Sequence, residues 1–243
     1  MLRSWSVRIS LFAVLLALMG PLLAFLGVLP GLNGFILYVL GALVGFLGMV
    51  AGIISSLLRR VRQGMTAVAI GLAVMIAVVY PGLASGGRPP INDISTDLDD
   101  VPVFTQAGSA LENQGRDMSY PAEFKPTVRE FYKKVGPLRV RAPPDAVFQQ
   151  ALALAREQPR WQVTVVDPQA RTFEGIAESH VFRFRDDFVV RVRPDGQGSR
   201  VDMRSKSRVR MGDLGANAQR IEEFLQALAP RLGAEAPKAE AGH

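Results

Sequence analysis

Seven cations alternate along three short stretches of the C-terminal half: Arg183 and Arg185, then Arg191 and Arg193, then Arg204, Lys206 and Arg208. A two-residue spacing puts side chains on one face of an extended chain. If the stretches pair as hairpins, these charges converge on one sheet face, and Arg220 adds another from the helix that follows. Guanidinium forks suit phosphate and carboxylate. Two readings follow. In one, the face binds an anion: a phosphate head group, an acidic glycan or an acidic partner. In the other it is a solvated face, with arginine stems covering the sheet and acids from residues 93–100 lying across it.

Catalysis has less to stand on. His180 is the one histidine besides the terminal His243, so no histidine pair can hold a metal, and no Ser/His/Asp spacing supports a nucleophile. Beside Phe182 and Phe184, His180 reads as a core residue. Glu174 and Glu178, with His180, are the groups that an acid/base enzyme on a lipid or envelope substrate would use, although strand edges carry such pairs without catalysis. Asp93, Asp97, Asp99 and Asp100 cluster, but the glycine and glutamate that complete an EF-hand loop are missing. No metal or other cofactor is implied. Cysteine is absent, which excludes disulfides and thiolate chemistry.

These residues need a scaffold. Leu138–Arg141 reads as a strand, Pro144 to Gln158 as a helix, and Trp161–Val166 as a strand. Arg171–Glu178 and His180–Arg185 follow as one long or bent strand, with a turn at Asp186-Asp187 into Phe188–Arg193, and then Arg200–Val209. Asp213 is placed to cap a closing helix whose apolar stripe is Leu214, Ile221, Phe224, Leu225 and Leu228. The class is α+β, a two-layer antiparallel-sheet/helix domain in the order strand, helix, four or five strands, helix. That order is similar to helix-grip folds, which hold an apolar ligand between sheet and helix. By that likeness His180, Phe182, Phe184 and Met203 line a cavity.

Three apolar runs precede this domain: Ile9–Leu29, Gly34–Leu58 and Met65–Leu83, each near the length that crosses a bilayer. Residues 1–83 hold no acid and five arginines, whereas the remaining 23 basic residues face all 22 acidic ones. The formal charge of +6 thus belongs to the apolar half, which disfavours a nucleic-acid partner. Arg3 and Arg8 precede the first run, and Arg59, Arg60 and Arg62 separate the second from the third, while the Pro30–Asn33 turn is uncharged. The positive-inside rule puts the N-terminus in the cytoplasm and residues 84–243 in the periplasm, with the helices in a bacterial inner (plasma) membrane. A signal peptide is disfavoured because the first run outlasts an h-region and lacks a cleavage site. Gly41, Gly45, Gly48 and Gly52 serve close packing of the spans on each other or a homo-oligomer seam.

The expected organisation is a three-helix anchor over 1–83, a strap over 84–136 with a short helix at Thr127–Val135, the α+β domain over 137–232, and a tail over 233–243. RPPINDISTDLDDVPVF near the membrane and RSKSRVRMGDLGANAQRI near the end resemble the family of bacterial and plastid proteins called domain of unknown function 1499. The closing motif of that family is matched by Arg204, Ser205, Ser207, Arg208, Asp213, Gly215, Asn217, Arg220 and Ile221, with Arg210 where the family has glycine. The resemblance implies a membrane-associated protein with no established activity. The whole reads as a non-enzymatic envelope protein that binds an anionic lipid or ligand, or a protein partner. A structural subunit of an envelope complex is the alternative.

Overall fold

The computed structural model describes residues 5–58, 61–84, 86–209 and 212–234. Arg3, Arg59 and Arg60 of the orientation reading, Arg210 and Met211 before the closing helix, and the tail from residue 235 lie outside the described residues. The chain divides into two units, residues 1–87 with 179–184 and residues 88–178 with 185–243.

The first unit is built on three helices long and apolar enough to cross a membrane: α1 (Trp5–Phe25), α2 (Gly31–Leu57) and α3 (Val61–Ala84). Their large side chains, such as Phe12, Leu18, Leu43 and Ile76, are exposed. Apart from Val74, their buried positions are small, among them Ser10, Ala13, Gly20, Gly41, Gly48, Gly64 and Ala67. A bundle in water does the reverse. In lipid, burying leucine between helices gains little, and close approach of backbones does the work. On α2, Gly34, Gly41 and Gly48 face α1, while Gly45 and Gly52 face α3. A Cβ on Gly41 would stand 2.8 Å from the Ala17 nitrogen, and one on Gly52 would stand 2.6 Å from the Gly64 carbonyl oxygen. The small-residue pairs are thus spent on packing the spans against each other. Ser10 adds an interhelical hydrogen bond, donating Oγ to the Ala67 carbonyl at 2.9 Å.

One boundary in the bundle differs from expectation. The first connection is Leu26–Pro30 and not Pro30–Asn33, because Pro30 takes an extended conformation (φ −55°, ψ 143°) that starts α2 at Gly31. The helix α1 runs through Gly20-Pro21, with Gly20 pressed on the backbone of Gly34.

The second unit is a six-stranded antiparallel sheet with helices on one face. Its strands are β1 (Asp93–Ser95), β2 (Leu138–Val140), β3 (Trp161–Asp167), β4 (Thr172–Glu178), β5 (Arg185–Asp195) and β6 (Gly198–Ser207). The order is β1-β6-β5-β4-β3, and β2 pairs with β6 as well. Against one face lie α5 (Pro144–Glu157) and α6 (Ala216–Arg231), and α4 (Phe124–Phe131) belongs to the strap. Phe188, Val190, Val192, Val201 and Met203 point to the helices and are fully buried with Val147, Ala151, Ile221 and Leu228. Trp161 stacks on Phe224, centroids 5.4 Å apart.

The two-layer α+β architecture is as the sequence indicates, and the strap supplies the additional strand β1. Three local expectations are corrected. Of the His180–Arg185 stretch only Arg185 is strand, the first residue of β5; residues 179–184 form a hairpin tip in which Arg183 adopts φ 54°. Asp186-Asp187 is not a turn, since both residues are inside β5, 4% and 1% exposed, each held by a cation described below. Leu214 is not on the stripe of the last helix, for it precedes α6 at φ 53° and is exposed. The strap helix also starts earlier than Thr127, at Phe124, since Pro126 falls in its first turn, where a missing N–H is tolerated.

Candidate functional site

The cations do share one sheet face, opposite the helices. Hairpin register sets Arg191 beside Asp202, Arg193 beside Arg200, and Asp187 beside Lys206. Residues 93–120 cross this face, and their acids close it in three places.

At the first place, Arg191, Arg193 and Arg200 meet Asp97, Asp100 and Asp202. Arg193 Nη2 lies 2.8 Å from Asp97 and 2.9 Å from Asp202. Arg200 reaches Asp97 and Asp202, both at 2.9 Å, and Arg193 also pairs with Asp100. Three positive and three negative groups balance. Burial works against the charge of Asp97, but the amides of Asp100 and Asp99 and the Arg200 and Arg193 guanidinium groups outweigh it, leaving the carboxyl below its ordinary value.

At the second, Arg204 donates Nε and Nη2 to the two oxygens of Asp93, at 2.9 and 2.8 Å. The guanidinium lies over the Phe104 ring (4.7 Å) and the Tyr120 ring (5.4 Å), and further N–H groups go to the Pro102 and Met118 carbonyls. Lys206 Nζ reaches Asp93 at 2.9 Å. Burial, then the Asp93 charge, pushes the Tyr120 phenol up, and its oxygen has no hydrogen-bond partner among the described residues. At the third, Arg208 pairs with Asp187 (2.6 Å) and Glu112 (3.0 Å), and Arg185 with Glu112 (2.7 Å). Asn113 donates to the other Asp187 oxygen at 2.7 Å. The amide of Glu112 itself, together with Arg208 and Arg185, holds its carboxyl below the usual range.

Glu174 stands between these clusters as an acceptor. It is 3% exposed and takes hydrogen bonds from the Thr105 amide and hydroxyl and from the amides of Gln106 and Ala107. A carboxylate so occupied fastens the strap.

Apart from Arg204 and Arg208, the polar residues of the closing motif lie in and around a second, buried polar group under α6. Asn217 Nδ2 donates to Ser207 Oγ (2.9 Å), and Ser205 Oγ donates to Asn217 Oδ1 (2.7 Å). Arg220 spans Ser205 Oγ (2.9 Å) and Asp186 (2.6 Å). Asp213 accepts from the amides of Gly215 (2.8 Å) and Asn217 (2.9 Å), and so caps α6 from outside it. Burial raises its carboxyl above the ordinary value. Gly215 is required there: its φ is +85°, and a Cβ would stand 2.6 Å from the Arg88 side chain.

Residues 93–228, more than half of the 243-residue chain, match the model of a family described as a protein of unknown function (DUF1499). The chain belongs to this family. No curated protein matches it. The family match begins at Asp93, the residue that receives Arg204, and ends at Leu228, the last inward leucine of α6.

Of the eight cations singled out in the sequence, Arg185, Arg191, Arg193, Arg204, Lys206 and Arg208 line one closed face and Arg220 lies on the other, all seven paired with carboxylates. Arg183 is in the hairpin tip, in the first unit. Of the expected cavity group, Met203 is fully buried in the core of the second unit, and His180, Phe182 and Phe184 belong to the tip in the first. Sequence reasoning missed the receiving acids Asp186, Asp187 and Glu112. The near-equality of 23 basic and 22 acidic residues beyond residue 83 was the available signal that most charges would pair.

Proposed function

We propose that the chain is a non-catalytic structural subunit of a bacterial envelope membrane complex, with its α+β domain in the periplasm and a protein partner. The observation that carries this reading is the neutralised arginine face. Its cations and Glu174 are engaged with the strap, so they act as fasteners of the domain, and an external anion would have to displace Asp97 and Asp100 to reach them. Orientation rests on charge: Arg8 and Arg62 lie at one end of the antiparallel bundle, and the uncharged Leu26–Pro30 connection and the end of α3 lie at the other.

Two measurements test the reading. Alkaline phosphatase fused after Arg88 is expected to be active in cells, and an inactive fusion would reverse the orientation. Native mass spectrometry of the detergent-purified protein is expected to show a bound protein subunit. Retained anionic phospholipid that is lost when Arg191, Arg204 and Arg208 become Gln would instead give the arginine face a ligand and overturn the structural role.

A further inference from the structure

The tips of the sheet's hairpins differ in kind. The β3–β4 and β5–β6 connections, at one end, read Pro168-Gln169-Ala170-Arg171 and Gly196-Gln197, as turns facing water do. The β4–β5 tip, at the opposite end, reads Ser179-His180-Val181-Phe182-Arg183-Phe184. The strap enters the sheet at that same end: the Ser207 amide donates to the Asn92 carbonyl at 2.8 Å, and Asn92 Nδ2 donates to Val209.

The tip packs with the helices of the first unit. Phe182 meets Phe35 edge to face at 5.3 Å and lies 5.6 Å from Tyr38, and Phe184 lies 5.9 Å from Phe35. A Cβ on Gly31 would stand 2.2 Å from the Phe182 carbonyl oxygen, so a side chain there would force the backbone to shift, and Gly27, at φ +72°, lies beside Arg183 Nη1. The tip is internally closed, with the Ser179 amide donating to the Phe184 carbonyl (2.8 Å) and the Phe184 amide to Ser179 Oγ (2.9 Å).

Depth follows from helix geometry. At 1.5 Å per residue α2 is about 40 Å long, roughly 10 Å more than a hydrocarbon core. Phe35 and Tyr38 lie about 6 and 10 Å from its start, at the level where aromatic side chains meet head groups. We propose that the β4–β5 tip lies in the membrane–water interface and binds the phospholipid surface, Val181 (48% exposed) and the Phe182–Phe184 pair entering the acyl boundary and Arg183 staying at phosphate level. The chain thereby has a second membrane attachment besides α3. This inference rests on the three helices spanning a bilayer and not on which side the domain occupies.

The chain has no cysteine, so Val181→Cys in the full-length protein accepts a single environment-sensitive fluorophore. In vesicles of phosphatidylcholine and phosphatidylglycerol, nitroxides on the upper acyl chain are expected to quench it several-fold more than a label at Gln197→Cys in the polar turn. Phe182→Ser with Phe184→Ser should bring the Val181→Cys signal down to the control, with helix content and flotation unchanged. Equal quenching at the two labels, or undiminished quenching in a folded, floating double variant, overturns the proposal. Failure of the protein to float would instead sink the spanning helices, and an inactive phosphatase fusion would leave the tip result standing.

Discussion

Arg204 and Asp93 form a two-pronged ion pair with side chains 1% and 0% exposed, joining the last strand to the first across 111 residues of sequence. The pair is sealed by Phe104 and Tyr120 and shared with Lys206. A buried pair of this kind contributes little over an apolar replacement, but removal of one partner leaves a charge with nowhere to go.

Asp93→Ala therefore strands two buried cations, and the expected destabilisation is about 3–5 kcal/mol, read as a shift in the urea unfolding of the detergent-solubilised protein. Asp93→Leu with Arg204→Met and Lys206→Met should recover most of that. A single Asp93→Ala within about 1 kcal/mol of the parent would mean the strap is not held here.

Glu174 is expected to act only as a strap fastener. Glu174→Gln keeps the shape and loses acceptor capacity toward the amides of Thr105, Gln106 and Ala107. The loss should be about 1–3 kcal/mol, and hydrogen exchange at those three amides should accelerate while the β3–β6 amides stay protected.

Acid should open the strap. The carboxyls of Asp97 and Glu112 are depressed in the folded state, so the stability they contribute is complete above their unfolded value of about 4 and is lost as pH falls through the folded value. Asp213 is raised, so its unfavourable ionisation is relieved as pH falls and opposes the trend. Pepsin cleavage within residues 97–120 should consequently begin only below about pH 4, and Asp97→Asn should flatten the profile. Opening between about pH 5 and 7 would contradict this assignment.

The helix bundle should be intolerant where backbones touch. Gly41→Leu puts a Cβ 2.8 Å from the Ala17 nitrogen, and overpacking of about 1–3 kcal/mol or more is expected, measured as earlier unfolding in a dodecyl sulfate titration. Gly82→Ala, whose Cβ would meet nothing within 4 Å among the described residues, should be neutral.

Short-range pattern was enough for much of this. Acid-free apolar runs declared the membrane helices, and alternation at Arg191/Arg193 and Arg204/Lys206/Arg208 declared a cationic face, because the pleat repeats every two residues wherever the strand pairs. The same alternation misled at His180/Phe182/Phe184, where a tip and not a strand uses it, and Asp186-Asp187 passed for a turn because two adjacent acids are rarely buried without partners. Those partners, Arg220 and Arg208, are supplied from elsewhere in the chain.

By itself the sequence determined what each segment could be: which helices suit lipid, which strands have a charged side, and where α6 is capped. Tertiary structure alone decided that the cationic side is covered, because Asp93, Asp97 and Glu112 reach it only after β1 docks on β6 and the strap crosses the sheet. Periodicity is a local property of the backbone, whereas charge neutralisation depends on register between segments a hundred residues apart.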